Sequence, residues 1–262
     1  MRIKAKKSLG QNFLIDRDVL ELIVNTVDIN NKEVLEIGPG SGNLTSYILK
    51  KNPKKIFVIE KDNDLSLLLK EKFDDEINII NDDVLNISEN KISDEKLLVF
   101  GNLPYNISTE ILSKWILNIK KDFWFSSLVL MFQKEVADRI IADVNTSSYG
   151  RLSVLSKWKL DVKKIIDIMP QSFFPKPKIT SSLLIFTPKK NFFKLENSKN
   201  LEKITRIFFG QRRKMLKKSF NKIFNQPKII SEKFNIDLNL RPQNLSHETY
   251  YKLAKEYEEL NS

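Results

Sequence analysis

The chain has 262 residues, 41% of them hydrophobic, with no cysteine, one histidine and a formal net charge of +11 at pH 7. That length allows one large core plus a smaller domain, and the missing thiols exclude disulfides and thiolate metal sites. No apolar run reaches the length of a membrane span, and no signal-peptide core follows the basic residues 1–7, so the expectation is a soluble cytoplasmic protein with a polyanionic partner.

In chain order, Asp16 is placed to cap a helix carrying Val19, Leu20, Leu22, Ile23 and Val27. Glu33-Val34-Leu35-Glu36-Ile37 reads as a strand, Gly38-Pro39-Gly40-Ser41-Gly42 as a tight loop, and 43–51 as the helix after it. Lys55-Ile56-Phe57-Val58-Ile59-Glu60 is a second strand and 64–73 a helix. Ile77-Asn78-Ile79-Ile80 is a third strand, ending at Asn81-Asp82-Asp83. Leu97-Leu98-Val99-Phe100 is a fourth, broken by Gly101 and opening into Asn102-Leu103-Pro104-Tyr105. A helix over 107–119, a fifth strand over 126–132 and a helix over 133–141 follow. Such alternation specifies an α/β domain with a parallel sheet covered on both faces. After Thr187 the character changes: Pro188-Lys189-Lys190 reads as a linker, and basic and apolar residues then alternate at helical spacing. The expected domains are therefore 1–187, α/β and Rossmann-like, and 188–262, small and helical. Leu245-Ser246-His247-Glu248 reads as the start of a surface helix, which leaves the single histidine without a catalytic role.

The strand ends carry the chemistry. Ligands of open α/β sheets bind at the carboxyl ends of the strands. The glycine loop suits a nucleotide-type ligand, but its third glycine comes one residue too early for the dinucleotide pattern. An acidic residue ahead of the first glycine, here Glu36, is more typical of S-adenosylmethionine enzymes. Glu60 is placed to grip ribose hydroxyls, and Asp83 to accept from an adenine amine. Each has a plain structural alternative: a turn for the glycines, a solvated charge for Glu60, an Asx turn or helix cap for Asp83. The Asn102 to Tyr105 turn presents an amide, backbone carbonyls and an aromatic face, a set suited to a flat base with an exocyclic amine. Its structural alternative is an Asx turn before a proline.

The chain resembles the ribosomal RNA adenine N6-dimethyltransferase family over nearly its whole length. The resemblance rests on Gly10-Gln11-Asn12-Phe13-Leu14, Glu36 to Thr45 and Asn102 to Thr109. Gln133-Lys134-Glu135-Val136-Ala137, Tyr149-Gly150-Arg151-Leu152-Ser153, Phe173-Phe174-Pro175-Lys176-Pro177-Lys178 and Gln211-Arg212-Arg213-Lys214 extend it. Leu9 departs from the aromatic residue common before the first block. The branch it resembles most dimethylates two adjacent adenosines near the 3′ end of small-subunit (16S) rRNA in an immature 30S subunit. The resemblance implies S-adenosyl-L-methionine as cofactor, no metal and a monomer. It implies that Asn12, Leu14, Gly38, Gly40, Glu60, Asp83 and Asn102 line the cofactor, with Gly38 at its methionine end.

The chemistry such a site needs is direct methyl transfer to N6 of adenine. The Asn102 oxygen and the Leu103 carbonyl would accept from that amine, Pro104 would stiffen the turn, and Tyr105 would stack on the base and stabilise positive charge on nitrogen. Phe173 is the candidate for the second stacking face, projecting from a Pro-stiffened loop; core packing is its alternative, and Phe174 competes with it. For RNA, the basic candidates are Lys6 and Lys7 in the N-terminal arm and Arg212, Arg213, Lys214 and Lys217 in the tail, with a solvated helix face as the alternative. Phe208 and Phe209 read as the buried face beside that tail. Rival functions are a resistance-type methyltransferase acting on large-subunit (23S) rRNA, a dinucleotide oxidoreductase and a non-enzymatic assembly factor.

Overall fold

A computed structural model describes residue 6, residues 10–120 and residues 122–261. Lys7 and Leu9 lie outside the described residues.

The first half builds as the alternation dictates. Strand β1 (Phe13–Leu14) leads into α1 (Arg17–Val24), whose N-terminus Asp16 caps by accepting from the Asp18 and Val19 amides. Then come β2 (Glu33–Ile37), α2 (Asn43–Leu49), β3 (Lys55–Ile59), α3 (Asn63–Phe73) and β4 (Asn78–Ile80). Strand β5 (Leu97–Asn102) precedes α4 (Ser108–Asn118), β6 (Phe125–Gln133) and α5 (Lys134–Ile141). Four elements follow that no local pattern announced: α6 (Arg151–Lys159), β7 (Leu160–Ile168), β8 (Phe173–Phe174) and β9 (Ser181–Pro188). The chain ends in helices α7 (Ser198–Phe209), α8 (Leu216–Ile223), α9 (Pro227–Lys233) and α10 (His247–Glu259).

Seven strands form one sheet in the order β4-β3-β2-β5-β6-β9-β7, while β1 and β8 pair separately. Strands β4 through β6 are parallel neighbours, but β9 runs antiparallel to β6. The expectation of a purely parallel sheet is thus corrected: a run that reaches β6 without a helical crossover can continue the sheet in the opposite sense. Gly101 is also not a break. It sits inside β5 between Ile37 and Leu130, and the strand continues to Asn102 opposite Met131.

The chain divides into two compact units. The first comprises residues 1–111, 120–137 and 163–188, with a core that includes Val34, Ile48, Val58, Leu69, Phe100 and Phe173. The second comprises 112–119, 138–162 and 189–262. It therefore holds two segments that the sequence reading assigned to the first domain. Its helices bury Phe208, Phe220, Tyr250 and Tyr149, and α10 is not a surface helix: Tyr250, Tyr251, Leu253 and Ala254 on it are buried. Among the described residues no helix is long and apolar enough to cross a membrane.

Candidate active site

The carboxyl ends of β2, β3 and β5 and the turn after β4 enclose a cavity of about 250 Å³ in the first unit. Asn12, Leu14, Gly38, Gly40, Glu60, Asp83, Asn102, Leu103, Pro104 and Tyr105 all line it.

The glycine loop is wound with φ of +66° at Gly38, +58° at Gly40 and +75° at Gly42, a backbone that other residues rarely adopt. The Gly38 amide donates to the Ile59 carbonyl at 2.9 Å, tying the loop to β3. A Cβ on Gly40 would fall 2.8 Å from the Phe13 ring, and one on Gly42 would fall 2.5 Å from Phe73. Glycine is required here by two independent walls.

Two carboxylates stand behind this loop. Glu60 accepts from the Gly40 amide at 3.2 Å and from the Asp62 amide at 2.9 Å, and burial raises its pKa. Glu36, which the motif reading gave no contact of its own, is 2% exposed and accepts from the Thr45 hydroxyl at 2.7 Å. Burial pushes its carboxyl up to about 7 against the opposing bond from Thr45. Asp83 both caps a short turn and faces the cavity: it accepts from the Leu85 amide at 2.9 Å and pairs with Lys61 at 2.7 Å.

The N-terminal segment forms a further wall. The Asn102 side-chain nitrogen donates to the Asn12 carbonyl at 2.9 Å, across 90 residues of sequence. The Asn43 amide nitrogen donates to the Leu14 carbonyl at 2.8 Å. Upstream, Lys6 pairs with Asp62 at 2.7 Å and Asp64 at 2.8 Å, and Gln11 donates to Asp62. Lys6 is thus tied to the start of α3, with its charge offset by two acids.

In the turn from Asn102 to Tyr105, the Pro104 carbonyl accepts from the Ile107 and Ser108 amides, and the Tyr105 carbonyl accepts from the Ser108 hydroxyl. Among the described residues nothing donates to the Leu103 carbonyl or to the Asn102 side-chain oxygen. With its nitrogen tethered, Asn102 is held with one acceptor left over. The Tyr105 hydroxyl bonds the Ser181 hydroxyl at 2.5 Å, and burial raises the phenol pKa. Ser181 is fully buried at the start of β9 opposite Gln133, and sequence reasoning missed it because nothing local marks it.

Phe173 departs from its expected place. It does not project from a loop but pairs with Leu14 in the β1–β8 sheet, 2% exposed within the core, while Phe174 beside it is 60% exposed. Strand alternation sends one ring inward and the next outward. Among the basic candidates, Arg212 is engaged by the Gln243 side chain and the Thr146 carbonyl. Arg213, Lys214 and Lys217 are exposed, with no side-chain partner among the described residues. His247 lies in the second unit, edge-on to Tyr149 at 5.0 Å, and burial pushes its imidazole down to about 4.

The model of the ribosomal RNA adenine dimethylase family matches residues 2–259. The chain belongs to this family. A "ribosomal RNA small subunit methyltransferase A" of Pelagibacter ubique is 75% identical over 99% of both chains. A protein of the same description from a Wolbachia strain of Drosophila simulans is 44% identical, over 98% of this chain and 94% of that one. The crystal structure of a dimethyladenosine transferase from Plasmodium falciparum superposes with a TM-score of 0.81 at 26% identity, covering 95% of this chain and 98% of that one. The 23S rRNA methyltransferase ErmE is alike in fold, with a TM-score of 0.68 at 21% identity over 95% of this chain and all of that one. As a ribosomal RNA adenine dimethylase the chain is an rRNA methyltransferase, and the Asn102 turn and glycine loop lie inside the matched region.

Proposed function

We propose that the cavity takes S-adenosylmethionine together with a flipped adenine. The chain then dimethylates N6 of two adjacent adenosines near the 3′ end of small-subunit (16S) rRNA, as a cytoplasmic monomer acting on the immature 30S subunit. The observation that carries this is Asn102: its nitrogen is held by Asn12, leaving its oxygen and the Leu103 carbonyl as acceptors beside the glycine loop and Glu60. The description of the Pelagibacter relative supports the small subunit as target.

The residues fit the cofactor. A left-handed backbone at Gly38 and a Phe13 ring that leaves no room for a side chain at Gly40 let the loop approach the methionine end. Glu60 suits the ribose hydroxyls, Asp83 the adenine amine, and Asn12 and Leu14 cover it from the N-terminal side. S-adenosylmethionine supplies an electrophilic methyl group. What the protein does is prepare the amine. N6 of adenine is a weak nucleophile because its lone pair is delocalised into the ring. Accepting its hydrogens at the Asn102 oxygen and the Leu103 carbonyl favours a pyramidal nitrogen with a localised pair. These fixed dipoles and the Tyr105 face stabilise the positive charge that develops on nitrogen, with no reorganisation at the moment of transfer. The methylated cation is acidic enough to release its proton to water, so no dedicated base is needed. Phe173 stays the candidate for the second stacking face on its motif; its burial requires the ring to move before it can meet a base.

Radiolabelled methyl transfer to separated precursor subunits tests the reading. Label is expected in small-subunit rRNA, at two neighbouring adenosines; label confined to the large subunit would overturn the choice of target. Asn102→Ala is expected to lower kcat about 100-fold or more with cofactor affinity retained, and near-normal turnover would remove Asn102 from the mechanism.

A further inference from the structure

Two neighbouring phenylalanines divide between core and surface, Phe173 at 2% and Phe174 at 60% exposure. The β1–β8 pairing sets Phe174 directly opposite Phe13. Opposed residues of an antiparallel pair project from the same face, with Cβ atoms about 4.5–5.5 Å apart. The Phe13 ring closes on Gly40 and lines the cavity. Phe174 therefore stands beside the cavity wall without entering the cavity. Beyond it, Pro175 and Pro177 restrict the backbone, and Lys176 and Lys178 are exposed with no carboxylate partner among the described residues. An exposed ring on a stiff segment, followed by unpaired cations, is the composition of a platform for unpaired nucleic acid.

The proposed reaction creates a need for such a platform. Drawing one adenine into the cavity removes a stacking partner from the next base. In a target of two adjacent adenosines that next base is a purine with a large π face. We propose that Phe174 is the stacking platform for the base flanking the flipped adenosine, with Lys176 and Lys178 on the flanking phosphates. This rests on the adjacent-adenosine reading above and adds a contact outside the reacting pocket.

The test uses the full chain, precursor small subunits for turnover and, for binding, a single-stranded oligoribonucleotide containing two adjacent adenosines. Phe174→Ala is expected to raise KM for the subunit about five- to 150-fold while the S-adenosylmethionine Kd stays at the wild-type value. Phe174→Trp is expected to keep KM near wild type and to add an emission component that the oligoribonucleotide quenches. Lys176→Ala with Lys178→Ala is expected to flatten the salt dependence of oligoribonucleotide binding by about 1.4 in log–log slope. Wild-type KM in Phe174→Ala would overturn the platform. So would an equal loss of cofactor affinity, which would mean that the ring only packs on Phe13. The oligoribonucleotide titration needs no turnover, so failure of the wild type to methylate small subunits counts against the proposed function alone. Binding indifferent to residue 174 counts against the platform alone.

Discussion

At the scale of single residues, the bond between the Tyr105 and Ser181 hydroxyls fixes the aromatic face of the Asn102 turn to the sheet. Ser181→Ala and Tyr105→Phe each remove that one bond. Each is expected to lower kcat several-fold, on the order of 1 kcal/mol, without changing cofactor affinity. Because the two changes delete the same contact, the double variant is expected to be no slower than the slower single one. Steady-state kinetics on the four proteins measures this, and additive losses would show that the hydroxyls act separately. Glu36 gives a pH signature. Its folded pKa, about 7, lies above the ordinary 4.5. Between those values the folded chain holds a proton that the unfolded chain has released. Stability from this group is complete below about pH 4.5 and is lost as pH rises through 7, on the order of 3 kcal/mol in all. Urea unfolding across that range should show the fall in the wild type and its removal in Glu36→Gln.

At the scale of elements, the glycine loop and β5 shape the cavity. Gly40→Ala would set a Cβ against the Phe13 ring on a backbone of φ +58°. The expected result is at least a tenfold loss of S-adenosylmethionine affinity by calorimetric titration, with the fold retained. Gly101→Ala would meet Leu103 at 3.0 Å and Leu130 at 3.2 Å, so it is expected to destabilise by about 1–3 kcal/mol and to shift the Asn102 turn. The parallel strands β2, β3, β4 and β5 were legible as elements, because each lies next to its own loop. Gly101 misled because a glycine packed between two neighbouring strands looks, in one dimension, like a stop. The two-residue strands β1 and β8 carry no periodicity, since each exists only through the other. Strand β7 mixes Lys163, Lys164 and Asp167 into its run, which obscures alternation, yet Asp167 is tied there by the Ser182 hydroxyl at 2.6 Å. The Asn102–Asn12 tether and Ser181 were invisible for the same reason: their partners lie far away along the chain.

For the whole molecule, the net charge of +11 is spent unevenly. Lys6 is neutralised by two acids and Arg212 is held by neighbours, whereas Arg213, Lys214 and Lys217 face solvent. Replacing those last three with alanine is expected to reduce the log–log salt slope of subunit binding by about 2, while Lys6→Ala leaves the slope in place. His247 acts opposite to Glu36. Its folded pKa, about 4, lies below the ordinary 6.5. Its share of stability is therefore present above pH 6.5 and is lost as pH falls toward 4, and His247→Phe should make the protein more tolerant of acid. The pairing of β1 with β8 has a last consequence, in time. The Asp16 carboxylate waits for the Ser172 hydroxyl 156 residues later. At about 5–20 residues per second, the β1 wall of the cavity stays without its partner strand for roughly eight to thirty seconds after it has been synthesised. A nascent chain already carrying its glycine loop and Asn102 turn is thus still short of a finished cavity until the β8 segment follows.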